Sequence, residues 1–176
     1  MQALPHRYRV KGTGRTTGDV ELTAERLTMI QSASPAEFDG PGDRWSPETL
    51  LVGALADCFI LTFRAVAKAS SLSWISLDCD ATGTLDRQDR VTQFTRFNMM
   101  AHLVVPAGED TDRARQALEK AERNCLISRS LKASIALDAT VEIAELAELC
   151  LANTRLATEV TMSKTGCRPS ENCKKL

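Results

Sequence analysis

From Ser46 to about Ala69 the chain carries a helix that is apolar on every side. Ser46 offers a hydroxyl to cap free amides, Pro47 has the fixed φ that suits a first helical position, and Glu48 sets a carboxylate at the positive end of the helix dipole. The residues that follow, Leu50, Leu51, Val52, Ala54, Leu55, Phe59, Ile60, Phe63 and Val66, leave no polar face. Such a helix has to be buried over most of its surface. Its most hydrophobic part, Leu50 to Phe63, is 14 residues long and includes Asp57, short of the roughly 20 apolar residues that span a bilayer. It therefore reads as a core helix, with no membrane involved. A chain of 176 residues makes one ordinary domain, too little material to wrap this helix alone, so a second subunit is expected to cover part of it.

The rest of the chain arranges itself around that helix. Tyr8 to Gln31 is short-stranded and punctuated by Gly12, Gly14 and Gly18, which predicts a small antiparallel meander, and Ser34 to Arg44 is loop. Trp74 to Asp86 and Val91 to Val105 alternate as two long strands, a hairpin joined by Arg87-Gln88-Asp89-Arg90. Thr111 or Asp112 opens an amphipathic helix through Asn124, with Ala114, Ala117, Leu118 and Ala121 inward. Arg113, Arg115, Lys120, Arg123, Glu119 and Glu122 form its solvated face. Leu131 to Ile143 reads as a last strand. The order predicts an α+β fold with antiparallel sheets. Residues 1–143 make the main domain, 144–162 hold a further helix from Ala144 to Thr158, and 163–176 form a polar, disordered tail.

A net charge of −1 gives no pull toward a polyanion, so nucleic acid is not an expected partner. The first residues, Met-Gln-Ala-Leu-Pro-His-Arg-Tyr-Arg, lack the apolar core of a signal peptide, and a cytoplasmic protein is expected. In that compartment six cysteines stay reduced, and any disulfide is transient and functional. Cys58 sits deep in the apolar helix, and Cys125 closes the second helix, where it is free to move. Neither belongs to a closely spaced ligand pair, which points to thiol redox chemistry. Cys79, on a predicted strand, is packing. Cys167 and Cys173 stand wider apart than the ligand pairs of structural zinc sites, and Cys150 is more distant still. His6 and His102 have no ligand-like spacing to a cysteine, so neither metal nor cofactor is expected.

These features together resemble the OsmC/Ohr family of bacterial thiol peroxidases, the osmotically inducible and organic hydroperoxide resistance proteins. The resemblance covers about Tyr8 to Ile143. It rests on the Ser46-Pro47-Glu48 start, on Ala56-Asp57-Cys58 with its cysteine ten residues beyond the glutamate, on the Trp74 to Val105 hairpin, and on Cys125 with Ser128 after it. The family start is Asn-Pro-Glu where this chain has Ser46, and many members carry proline where this chain has Leu126. The resemblance implies an intertwined homodimer whose sheets wrap two central helices, a peroxidatic Cys58 and a resolving Cys125. It also implies a glutamate and an arginine near the thiolate. The glutamate corresponds to Glu48 and the arginine to Arg15, with Arg44 the alternative.

On that reading Cys58 attacks an organic hydroperoxide, becomes a sulfenic acid and condenses with Cys125 to a disulfide that a dithiol, such as a lipoylated protein, reduces. A thiolate near neutral pH needs a favourable neighbour, since an ordinary thiol has a pKa of about 8.5. Arg15 supplies the charge and Glu48 holds it. Ten residues of helix rise about 15 Å, too far for a Glu48-held arginine to touch Cys58 of the same helix unless side chains span the gap, so the expectation is that Glu48 serves the partner's site, with its own site the alternative. The alternative function is a non-catalytic protein of the same fold that binds an apolar or thiol-containing small molecule.

Overall fold

A computed structural model describes residues 3–144. The expected helix over 144–162, the tail 163–176 and the three cysteines beyond position 144 lie outside the described residues, Ala144 excepted.

Three short antiparallel strands come first, β1 (Lys11–Thr13), β2 (Val20–Thr23) and β3 (Ile30–Ser32), in the order β1-β2-β3. Side chains on both faces of this sheet are largely exposed. It is tied to the next element where Ser32 bridges Trp45 and where the Arg44 guanidinium meets Asp19 at 3.0 Å.

Helix α1 spans Pro47–Ser70, as its sequence predicts. Ser46 caps it with a reciprocal pair of bonds: the Thr49 amide donates to Ser46 Oγ at 3.1 Å, and the Ser46 amide donates to Thr49 Oγ1 at 2.8 Å. Only one stripe of α1 is fully buried within the chain, namely Leu55, Phe59, Phe63 and Ala67, each four residues after the last. That stripe faces the alternate residues Phe97, Met99, Leu103 and Val105 of the neighbouring sheet and the inward alanines of the second helix. Leu61 on another side is 50% exposed.

The second sheet holds β4 (Ser76–Gln88), β5 (Val91–Val105) and β6 (Ser134–Ile143). The expected four-residue link between β4 and β5 tightens to a two-residue turn, Asp89-Arg90, with Gln88 paired to Val91. Both turn residues have positive φ, 49° and 68°, the backbone whose twist matches that of the flanking strands. β5 and β6 run parallel, which corrects the expectation of purely antiparallel sheets. The reason is the length of the connection: helix α2 (Thr111–Asn124) and the short α3 (Leu126–Ser130) carry the chain from the end of β5 back to its start. A crossover of that size allows a parallel neighbour, whereas a tight turn would not. The strand expected from Leu131 begins only at Ser134, since Leu131 is the C-cap of α3 and the chain must turn out of that helix first. Arg113 of α2 donates to the Ser70 carbonyl, and Glu109 accepts from the Ser73 amide at 3.0 Å, so the C-terminal end of α1 is fixed against α2.

Candidate active site

Cys58 lies on the third turn of α1, one turn before Thr62, whose Oγ1 is 4.0 Å from the Cys58 sulfur. Cys125 is the hinge between two helices. Its extended backbone (φ −63°, ψ 119°) ends α2, with its amide bonded to the Glu122 carbonyl at 3.1 Å, and begins α3, with its sulfur accepting from the Ser128 amide at 3.5 Å. α3 starts at once, and the backbone of Leu126 and Ile127 at its start lowers the Cys58 thiol. The Cys125 side chain meets the same sulfur. α1 and the α2–α3 corner thus bring the two cysteines together.

Their protonation is unequal. Burial pushes the Cys58 thiol up, but the amide of Ile127, the side chain of Cys125, the amide of Leu126 and the Thr62 hydroxyl outweigh it and hold Cys58 below the ordinary thiol value. Burial, joined by the neighbouring Cys58, pushes Cys125 up to about 11 against the help of the Ser128 amide. Cys58 is therefore the more easily ionised of the two, and the thiolate is the form that reacts. Cys79 differs: half-buried on β4 opposite Ala101, it is pushed up to about 11 by burial and by Asp80, as a packing thiol should be.

Two expectations change at this corner. Cys125 is fully buried and hydrogen-bonded rather than free to move. Glu122 belongs to the site side of α2 rather than to a solvated face, for it accepts from the Ser128 hydroxyl at 3.1 Å. Sequence reasoning missed Thr62 and the α3 amides. Thr62 stands four residues after Cys58, a spacing that puts both on one helix face; α3, with five residues, is too short for periodicity to reveal.

Glu48, Arg15 and Arg44 lie away from this pair, at the N-terminal end of α1. The Glu48 carboxylate lines a cavity of about 400 Å³ walled by Phe38, Val52, Leu85 and Phe94. Its Oε2 is buried and has no hydrogen-bond partner among the described residues. Glu48 also lines a second cavity, opposite Gly18 and Asp19 of the β1–β2 turn that carries Arg15. Arg15 is exposed in that turn, and Arg44 is engaged by Asp19 and Asp43 at 3.0 and 3.1 Å. Among the described residues, no arginine or lysine is a group acting on Cys58.

A helix that presents a cysteine to a second cysteine at a helical corner, beside a β4–β5 hairpin, is an arrangement with known relatives. The family model of the OsmC-like proteins matches residues 40–140, which include α1, the hairpin and the Cys125 corner. The chain belongs to this family. Among the curated relatives, the uncharacterized protein YmaD of Bacillus subtilis is 30% identical over 119 residues, 65% of this chain and 79% of that protein. The peroxiredoxin OsmC of Escherichia coli is 30% identical over 134 residues, 73% of this chain and 93% of that protein. The crystal structure of an OsmC-like protein of unknown function from Vibrio cholerae superposes with a TM-score of 0.72 at 15% identity, covering 77% of this chain and all of the other. This OsmC-like chain thus has the α+β fold of the family.

Proposed function

We propose that this protein is a thiol peroxidase that reduces organic hydroperoxides in defence against oxidative stress, with Cys58 as the attacking and Cys125 as the resolving cysteine. The observation that carries the reading is that α1 and the α2–α3 corner bring two cysteines near each other, the Cys58 thiol lowered by hydrogen bonding and the Cys125 thiol raised by burial. The peroxiredoxin relative adds to it. The Cys58 thiolate attacks the terminal oxygen of the hydroperoxide; a sulfur–oxygen bond forms, the oxygen–oxygen bond breaks, and the alkoxide leaves and takes a proton from water. The Cys125 sulfur then attacks the sulfenic acid at Cys58. A disulfide forms, and the oxygen departs as water with the Cys125 proton. A dithiol reductant, of which a lipoylated protein is one kind, restores both thiols by exchange. The cytoplasm, where thiols are kept reduced, suits that cycle.

The unpartnered Glu48 oxygen supports the remainder of the site. A desolvated carboxylate calls for a cation, and the exposed Arg15 turn shares a cavity with it. Arg15 and Glu48 form one unit at the far end of α1, ten residues or about 15 Å from Cys58. In a homodimer that unit serves the Cys58 of the other chain, where the guanidinium favours the thiolate and polarises the peroxide. The apolar sides of α1 left open within one chain supply the surface for such a dimer, and apolar walls favour alkyl over hydrogen peroxide.

The experiment is direct. After one equivalent of an alkyl hydroperoxide, peptide mass spectrometry should find Cys58 linked to Cys125. Two free thiols after that treatment would reject the peroxidase, and an ordinary Cys58 reactivity with them would favour a protein that only binds an apolar molecule.

A further inference from the structure

The Cys125 corner contains a device that the two-cysteine scheme does not use. Three bonds close residues 122 to 128 on themselves: the Cys125 amide to the Glu122 carbonyl at 3.1 Å, the Ser128 amide to the Cys125 sulfur at 3.5 Å, and the Ser128 hydroxyl to Glu122 Oε1 at 3.1 Å. Cys125 is fully buried and Ser128 nearly so, at 7% exposure. Of the three, only the last joins side chains of α2 and α3. Helix α3 has five residues, too few to hold its own first turn in place, because a short helix repays little of its nucleation cost. The corner therefore depends on an external tie.

We propose that Glu122 and Ser128 are positioning residues that hold the Cys125 sulfur against Cys58, so that disulfide formation outruns further oxidation. The inference rests on the peroxidase reading above. Once Cys58 is a sulfenic acid, two reactions compete for it. In one, Cys125 attacks the sulfur, the sulfur–oxygen bond breaks and water leaves. In the other, a second hydroperoxide transfers an oxygen to the same sulfur, leaving a sulfinic acid on Cys58 and a second alcohol. The first is intramolecular and gains from a fixed attacking geometry; the second does not. Loss of the Ser128–Glu122 tie should loosen α3, spread the positions of the Cys125 sulfur and shift the partition toward sulfinic acid. The carboxylate acceptor makes this a charge-assisted bond, so its removal is expected to slow closure by about tenfold.

The readout is the ratio of sulfinic acid to disulfide at Cys58, by mass spectrometry of the full chain in its native assembly at a fixed alkyl hydroperoxide concentration. This ratio does not depend on how fast Cys58 first reacts. Ser128→Ala and Glu122→Ala should each raise it about tenfold, while Glu122→Gln, which keeps an acceptor oxygen, should recover most of the disulfide. Should Ser128→Ala fail to fold, the partly exposed Glu122 pair carries the same comparison. An unchanged ratio in Glu122→Ala, or a Glu122→Gln no better than alanine, would overturn the positioning role. Absence of any disulfide in the unmutated protein would instead remove the peroxidase reading itself.

Discussion

At the scale of single residues, the two facing cysteines differ in how easily each gives up its proton. Cys58 and Cys125 are both thiols, yet amides and a hydroxyl reach the first, while the second is fully buried and burial pushes it up to about 11. A thiol whose pKa is lowered reacts with an alkylating agent at a pH where an ordinary thiol is still protonated, and that reactivity is lost only as pH falls through the lowered value. In the reduced protein, iodoacetamide should therefore modify Cys58 first and Cys79 and Cys125 last. The pH midpoint for Cys58 should lie below that of the same cysteine in the unfolded chain. A midpoint equal to or above the unfolded one would contradict the assignment of the thiolate. The two cysteines and Glu48 stand out in the sequence as candidates, from helix starts and spacing. Their company was not legible there: that Thr62 and the amides of Leu126 and Ile127 serve Cys58 depends on α3, and no pattern in five residues marks a helix.

At the scale of elements, the long pieces were legible and their directions were not. α1, α2 and the β4–β5 hairpin follow from capping residues and from periods of 3.6 and 2, because these are local signals. The parallel pairing of β6 is not local; it is set by the α2–α3 crossover, and the same alternating residues would fit either direction. One glycine shows how tightly these pieces meet. A methyl group at Gly83 of β4 would lie 2.7 Å from a ring carbon of Phe94 and 2.9 Å from both Phe97 and Val52. The two rings are themselves stacked, 5.0 Å between centroids, so neither can turn aside freely. Gly83→Ala should destabilise the fold by about 1–3 kcal/mol, read as a lower urea midpoint at unchanged slope. An unchanged midpoint would mean that the hairpin and α1 have room to part.

At the scale of the whole molecule, α1 carries an unmatched group at its start and another at its middle. Cys58 meets no cation, and the buried Glu48 oxygen meets no donor among the described residues. If the two halves belong to different chains, then chains carrying Cys58→Ser and Glu48→Ala, each impaired by itself, should regain activity when mixed and reassembled. The mixed dimer holds one intact Cys58 facing one intact Glu48, so about half of the unmutated turnover is expected from it. No recovery in a verified mixed dimer would place Glu48 and Cys58 in the same chain's site. The expectation of a second subunit, and of Glu48 serving the partner's site, came from the sequence alone, from an apolar helix and the rise between residues 48 and 58.

The β1–β2–β3 sheet, with both faces largely open, has a consequence in time. During synthesis its strands emerge before Arg44 and Trp45, so the ties to Asp19 and Ser32 can close only after all three strands are made.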